Sequence, residues 1–67
     1  MISFAIKDNN DEILIFDRRG EKISRFSPSF SSFRLLGYTS DCVTVQSDDG
    51  RVECYDEDGT RLYQIYL

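Results

Sequence analysis

Five carboxylates crowd the second half of the chain: Asp48, Asp49, Asp56, Glu57 and Asp58. Hard cations such as Ca²⁺ take oxygen ligands, so Asp56 and Asp58 are the residues that would hold a metal if one were bound. The spacing argues for a plainer role. No D-x-D-x-D-G loop with its distal Glu is present, and Asp is a preferred opening residue of turns because it accepts local backbone hydrogen bonds. Asp17-Arg18-Arg19-Gly20 repeats the pattern of Asp56-Glu57-Asp58-Gly59 with arginines in the middle. The acids therefore read as turn residues, and the expected metal and cofactor complement is none.

The cations Arg18, Arg19, Lys22, Arg25 and Arg34 form the second candidate group, with Phe30 and Phe33 available for base stacking. No glycine-rich phosphate cradle or RNA-binding motif accompanies them. A net charge of −4 also runs against a protein that must neutralise phosphates, so nucleic acid is not an expected partner. Catalysis has still less support. Histidine is absent, which removes the side chain that titrates near neutrality, and only Lys7 and Lys22 are lysines, so no Ser, Thr or Cys has a visible activating base. The chain reads as a non-enzyme.

What positions these residues is a small frame. Sixty-seven residues make one domain, and a chain this short buries only ~60% of its unfolded surface, so it commonly needs a staple. Cys42 and Cys54 are too few for a disulfide framework, and no Cys/His cluster suits zinc, which leaves oligomerisation as the staple. The opening MISFAIKDNNDE lacks the basic start and apolar run of a signal peptide, and no stretch reaches the roughly 18 apolar residues of a membrane span. The expected setting is the cytoplasm, with both cysteines as free thiols and no membrane contact. Charge is unevenly split, with six basic and five acidic residues from Met1 to Ser40 against two and seven from Asp41 to Leu67. Such asymmetry favours head-to-tail association.

Apolar residues alternate in short runs separated by turn residues, the signature of hairpins. A shift of 39 positions lays Phe4, Ile6, Ile13, Ile15, Phe16, Ile23 and Phe26 on Val43, Val45, Val52, Cys54, Tyr55, Leu62 and Ile65, and superposes the two D-x-x-G turns. The fold class expected is all-β: two tandem antiparallel meander units of about 39 residues, forming a small sandwich, a half-open barrel or a propeller-blade-like pair. The units span about 3–26 and 33–66 and are linked by 27–32, where Ser27-Pro28 breaks the ladder. With Asp48-Asp49 at a hairpin tip, Val45 would oppose Val52, Val43 would oppose Cys54, Ile6 would oppose Ile13 and Phe4 would oppose Ile15. Cys42 would then face away from Cys54.

This strand order, with its D-x-x-G turn and period near 39, resembles a β-propeller blade, and DGRVECYDEDGTRLYQI looks like the outer strands of one. The resemblance implies a four-stranded blade from Phe33–Thr39, Cys42–Gln46, Arg51–Tyr55 and Arg61–Tyr66, and three strands of another from Ser3–Phe26. The segment YDEDGTRL is also similar to YD-type repeats of large bacterial surface and toxin proteins. A complete propeller needs about four to eight blades, more than two units supply.

The remaining feature is an aromatic load that is large for so small a core. Alternation puts Leu14 and Phe16 opposite Ile13 and Ile15, and Tyr55 and Tyr63 opposite Val52, Cys54 and Leu62, so both sheet faces are partly apolar. One face can be core. The other needs a cover, supplied by the chain folding over or by a protein partner or second copy, and Phe16, Tyr55 and Tyr63 are the expected interaction residues. The function expected is protein interaction or self-assembly, with an ion- or ligand-binding module built on the acidic turns as the alternative.

Overall fold

The computed structural model describes residues 1–28 and 32–66, so the Phe30 assigned to stacking lies outside the described residues. Seven strands follow in chain order: β1 (Phe4–Lys7), β2 (Ile13–Phe16), β3 (Lys22–Phe26), β4 (Phe33–Tyr38), β5 (Cys42–Ser47), β6 (Arg51–Asp56) and β7 (Arg61–Tyr66). They form two antiparallel meanders, a three-stranded sheet β1-β2-β3 and a four-stranded sheet β4-β5-β6-β7, and the two do not close into a barrel. Among the described residues no helix is present, and none is long and apolar enough to cross a membrane.

One turn design builds four of the five hairpins, the exception being β4–β5, where Thr39 N–H donates to the Cys42 carbonyl at 2.8 Å. In those four the fourth residue of each turn donates its N–H to the carbonyl of the first: Asp11 to Asp8 at 3.3 Å, Gly20 to Asp17 at 3.0 Å, Gly50 to Ser47 at 3.2 Å and Gly59 to Asp56 at 3.1 Å. Each fourth residue is left-handed, with φ of 60°, 83°, 91° and 86° in that order. This is a type I turn followed by a one-residue bulge, which places three residues in the loop rather than two. The side chain opening each turn completes it. Asp8 Oδ1 accepts from the N–H of Asn10 and Glu12, Asp17 Oδ1 from Arg19 and Glu21, and Asp56 Oδ1 from Asp58 and Thr60, at 2.8 to 3.0 Å.

The extra loop residue corrects the expected register. Val45 lies opposite Glu53, Val52 opposite Gln46, Val43 opposite Tyr55 and Cys54 opposite Thr44. In the first sheet Ile6 lies opposite Leu14, Lys7 opposite Ile13, Phe4 opposite Phe16 and Ala5 opposite Ile15. Every expected pair is displaced by one residue, and a one-residue displacement transfers a strand's partners to the other face. Cys42, expected to face away from Cys54, shares its face, because Cys42 and Thr44 lie on one side of β5 and Thr44 pairs with Cys54.

The pairings nevertheless recur at an interval of 39. Phe4↔Phe16 becomes Val43↔Tyr55, Ile15↔Ser24 becomes Cys54↔Tyr63, and Ile13↔Phe26 becomes Val52↔Ile65. The bulges recur too: Ile23 and Leu62 are each the unpaired extra residue of the strand that follows a D-x-x-G turn.

Ala5, Ile13 and Ile15 on the inner face of the first sheet pack with Ile2, Phe33, Val43, Val45 and Tyr55 to form the core, with Phe26 and Leu35 against it. The Phe26 and Tyr55 rings lie 4.7 Å apart across the sheets. The N-terminus ties the sheets together, since Ile2 N–H donates to the Ser40 carbonyl at 2.9 Å and Ser3 N–H to that of Phe16 at 3.0 Å. Glu53, on the inner face of β6, is fully buried. Its carboxylate accepts from the Tyr55 hydroxyl and from Arg61 Nη1 at 3.0 Å, so the charge entering the core is both paired and hydrogen-bonded.

The turns and the buried carboxylate set the outcome of three substitutions. Asp11→Gly removes a left-handed non-glycine residue and raises stability by about 0.5–1 kcal/mol, whereas Gly50→Ala creates such a residue and lowers stability by about 1–2 kcal/mol. Tyr55→Phe takes a donor from a buried carboxylate and costs about 1–3 kcal/mol. Urea denaturation midpoints at constant slope check all three.

Candidate interaction surface

Four outward-facing side chains on the first sheet form its apolar patch. Strand alternation turns Phe4, Ile6, Leu14 and Phe16 away from the core that Ala5, Ile13 and Ile15 fill. Phe4 and Ile6, expected to be buried partners of Ile15 and Ile13, are instead 48% and 36% exposed. The Phe4 ring stands 5.8 Å from that of Phe16 and 6.4 Å, edge-on, from that of Tyr38. Beside these rings lies an open groove of about 430 Å³ lined by Ser3, Phe4, Phe16, Asp17, Arg18 and Gly20.

The outer face of the second sheet carries Thr44, Gln46, Val52, Cys54, Tyr63 and Ile65, joined across β5, β6 and β7. Tyr63 and Ile65 are 56% and 48% exposed, while Val52 and Cys54 beneath them are buried. Burial, with Cys42 alongside, pushes the Cys54 thiol above its ordinary pKa, and the neighbouring Cys54 raises that of the Tyr63 hydroxyl. Both cysteines are free thiols.

The expected interaction residues thus divide. Phe16 is half-buried on the outer face of the first sheet and Tyr63 is exposed on that of the second. Tyr55 is not on a surface: it is 5% exposed, its ring lies against Phe26 between the sheets, and its hydroxyl serves Glu53. The register that puts Phe4 and Ile6 outside brings Tyr55 inside. Phe4 and Ile6 are surface residues that apolar alternation alone placed on one face with Ile13 and Ile15, and Ile65 is a further surface residue that alternation did not single out. The signal available for them was the left-handed residue at the fourth turn position, explicit as Gly50 and disguised as Asp11.

The charged groups do not assemble into a second site. Asp56 spends one carboxylate oxygen on its own turn, and among the described residues no three Asp, Glu, Cys or His side chains converge as metal ligands. Ser47 donates to Asp49, and this bond, with the Arg51 N–H at 3.1 Å, holds the Asp49 carboxyl below its usual pKa. The cations are dispersed as well. Arg25 pairs with Glu12 at 3.2 Å on the first sheet, whereas Arg34 donates to Gln46 at 3.1 Å on the second.

Comparison with protein-family models, curated proteins and solved structures finds no match to this chain. The surface must therefore be read from its own chemistry. Each sheet carries apolar side chains on its outer face, while Asp8, Asp17, Asp49 and Asp56 serve turns and Glu12, Arg25, Glu53 and Arg61 form local pairs.

The thiols give a test of the corrected faces. A thiolate is disfavoured at buried Cys54, so folding raises its pKa and contributes stability that is present below the ordinary value of 9.0 and lost as pH rises through the folded-state value. Stability measured by urea at about pH 8 and about pH 10.5 falls more for the wild-type chain than for Cys54→Ala. At neutral pH a thiol reagent labels the half-buried Cys42 first and Cys54 only at the rate of opening.

Proposed function

We propose that the chain is a non-catalytic β module whose work is protein contact, made through its two outer sheet faces and in the first instance with further copies of itself. One observation carries this reading: each sheet keeps an apolar outer face after the core is complete, with Phe4, Ile6 and Phe16 on one and Tyr63 and Ile65 on the other. Isolated exposed apolar residues are ordinary on protein surfaces, but contiguous patches mark interaction sites. The size of the chain supports the same reading, because so thin a core gains from area buried against a neighbour.

The blade-like strand order, the interval of 39 and a cytoplasmic setting with reduced thiols belong to this proposal. So does the absence of enzymatic work, supported by a composition without histidine and by carboxylates committed to turns.

Light scattering during size-exclusion chromatography tests the reading. The wild-type chain is expected to elute as an oligomer whose mass falls on dilution, and Phe16→Glu to elute as a folded monomer. A wild-type chain that stays monomeric at high concentration overturns the proposal.

A further inference from the structure

The two outer faces are not merely both apolar; the numbering makes them complementary. Adding 39 to the inner-face residues Ala5, Ile13, Ile15 and Phe26 gives Thr44, Val52, Cys54 and Ile65, all on the outer face of the second sheet. Subtracting 39 from the inner-face residues Val43, Val45 and Tyr55 gives Phe4, Ile6 and Phe16, all on the outer face of the first. The interface inside the molecule therefore joins one kind of face to the other, and each kind is left over once outside.

We infer that a second copy of the chain stacks its first sheet, through Phe4, Ile6 and Phe16, on the outer face of the preceding copy's second sheet at the exposed Tyr63 and Ile65, which cover Val52 and Cys54, repeating the internal sheet-on-sheet contact. The inference rests on self-association as proposed above and adds its geometry: a head-to-tail contact between two different faces.

Two further observations support this occupant. Inside the molecule Phe26 lies against Gly59, where an added Cβ would stand 3.0 Å from the Phe26 Cβ, and against the Tyr55 ring. The equivalents of Gly59 and Tyr55 are Gly20 and Phe16, and these line the empty groove on the outer face of the first sheet. Nothing lies within 4 Å of a Cβ built on Gly20. The equivalent of Phe26 is the exposed Ile65, so the groove has the place, and the next copy has the side chain, that the internal contact already matches.

The second observation is charge. Glu57 in the last turn holds the amino group of Met1. Moving both by the same interval puts Arg18 where Glu57 was and Ser40 where Met1 was, with Asp41 next in the chain, so an acidic residue adjoins the position that faces Arg18 and the pair is attractive with its signs exchanged. A contact between two different faces repeats until it closes. Radial arrays of sheets close at about four to eight, which at two sheets per chain gives rings of about two to four copies.

Two single-face variants decide the geometry. Phe16→Glu spoils only the first-sheet face and Ile65→Glu only the second-sheet face, with circular dichroism confirming that each is folded. Each alone is expected to be monomeric by light scattering, and their mixture is expected to give a 1:1 heterodimer by native mass spectrometry, because one intact face remains on each. In a pair that avoids the apolar patches, Arg18→Glu is expected to weaken wild-type self-association about five-fold, and adding Asp41→Arg to restore it. If the wild type assembles but only one face variant dissociates, or the mixture stays monomeric and Asp41→Arg restores nothing, the stacking is overturned while self-association stands. A monomeric wild type removes both.

Discussion

Four left-handed residues govern this molecule. Asp11, Gly20, Gly50 and Gly59 each close a turn of the same design, and each adds one residue to its loop. Side chains alternate with a period of two, so the count of loop residues decides which half of a strand faces inward. With three residues at the tip, Ala5 rather than Phe4 enters the core, Tyr55 rather than Cys54 meets Phe26, and Glu53 is carried into the interior with its charge. The backbone requirement at four positions thus selects the core and the surface together.

The buried carboxylate shows how the rest of the structure accommodates that selection. In the first unit the position equivalent to Glu53 is Leu14, which lies outside and needs no partner. In the second unit the same position lies between the sheets, and the chain supplies a phenol two residues on and a guanidinium from β7 to satisfy it. The two sheets share a hydrogen-bond register but occupy opposite roles, one presenting to the core the face that the other presents to solvent.

Much of the fold was legible in the sequence, and the part that was not has a single cause. The seven strands and their neighbours follow from short apolar runs between turn residues, and the D-x-x-G turns with their bulges were plain because Asp and Gly stand at the diagnostic positions. Which face was core could not be read from alternation, because both alternating sets are apolar: Ile13 and Ile15 against Leu14 and Phe16, and Val52 and Cys54 against Tyr55. The tie is broken by loop length. At Gly50 the sequence offered a bulge that a two-residue tip at Asp48-Asp49 overlooked. At Asp11 it offered only an Asp in a conformation that Asp seldom adopts. The outer faces share this fate: Phe16 and Tyr63, singled out for their aromatic character, lie on them, whereas the placing of Phe4, Ile6 and Ile65 there needed the register.

Strands that pair only with their sequence neighbours also set how the chain reaches this structure. Every ladder is a local hairpin, a type of element that closes in about 1–10 μs, and such low separation between partners speeds folding. Among the described residues, the backbone contact of greatest sequence separation is the one that brings Ile2 to Ser40 and lays one sheet on the other, and the cost of loop closure must be met before it forms. Within one chain that encounter is intramolecular, whereas between chains an encounter of two such faces depends on how much protein is present. The covalent connection thereby favours the internal contact at any concentration: each molecule completes its own two layers before its outer faces can meet anything else.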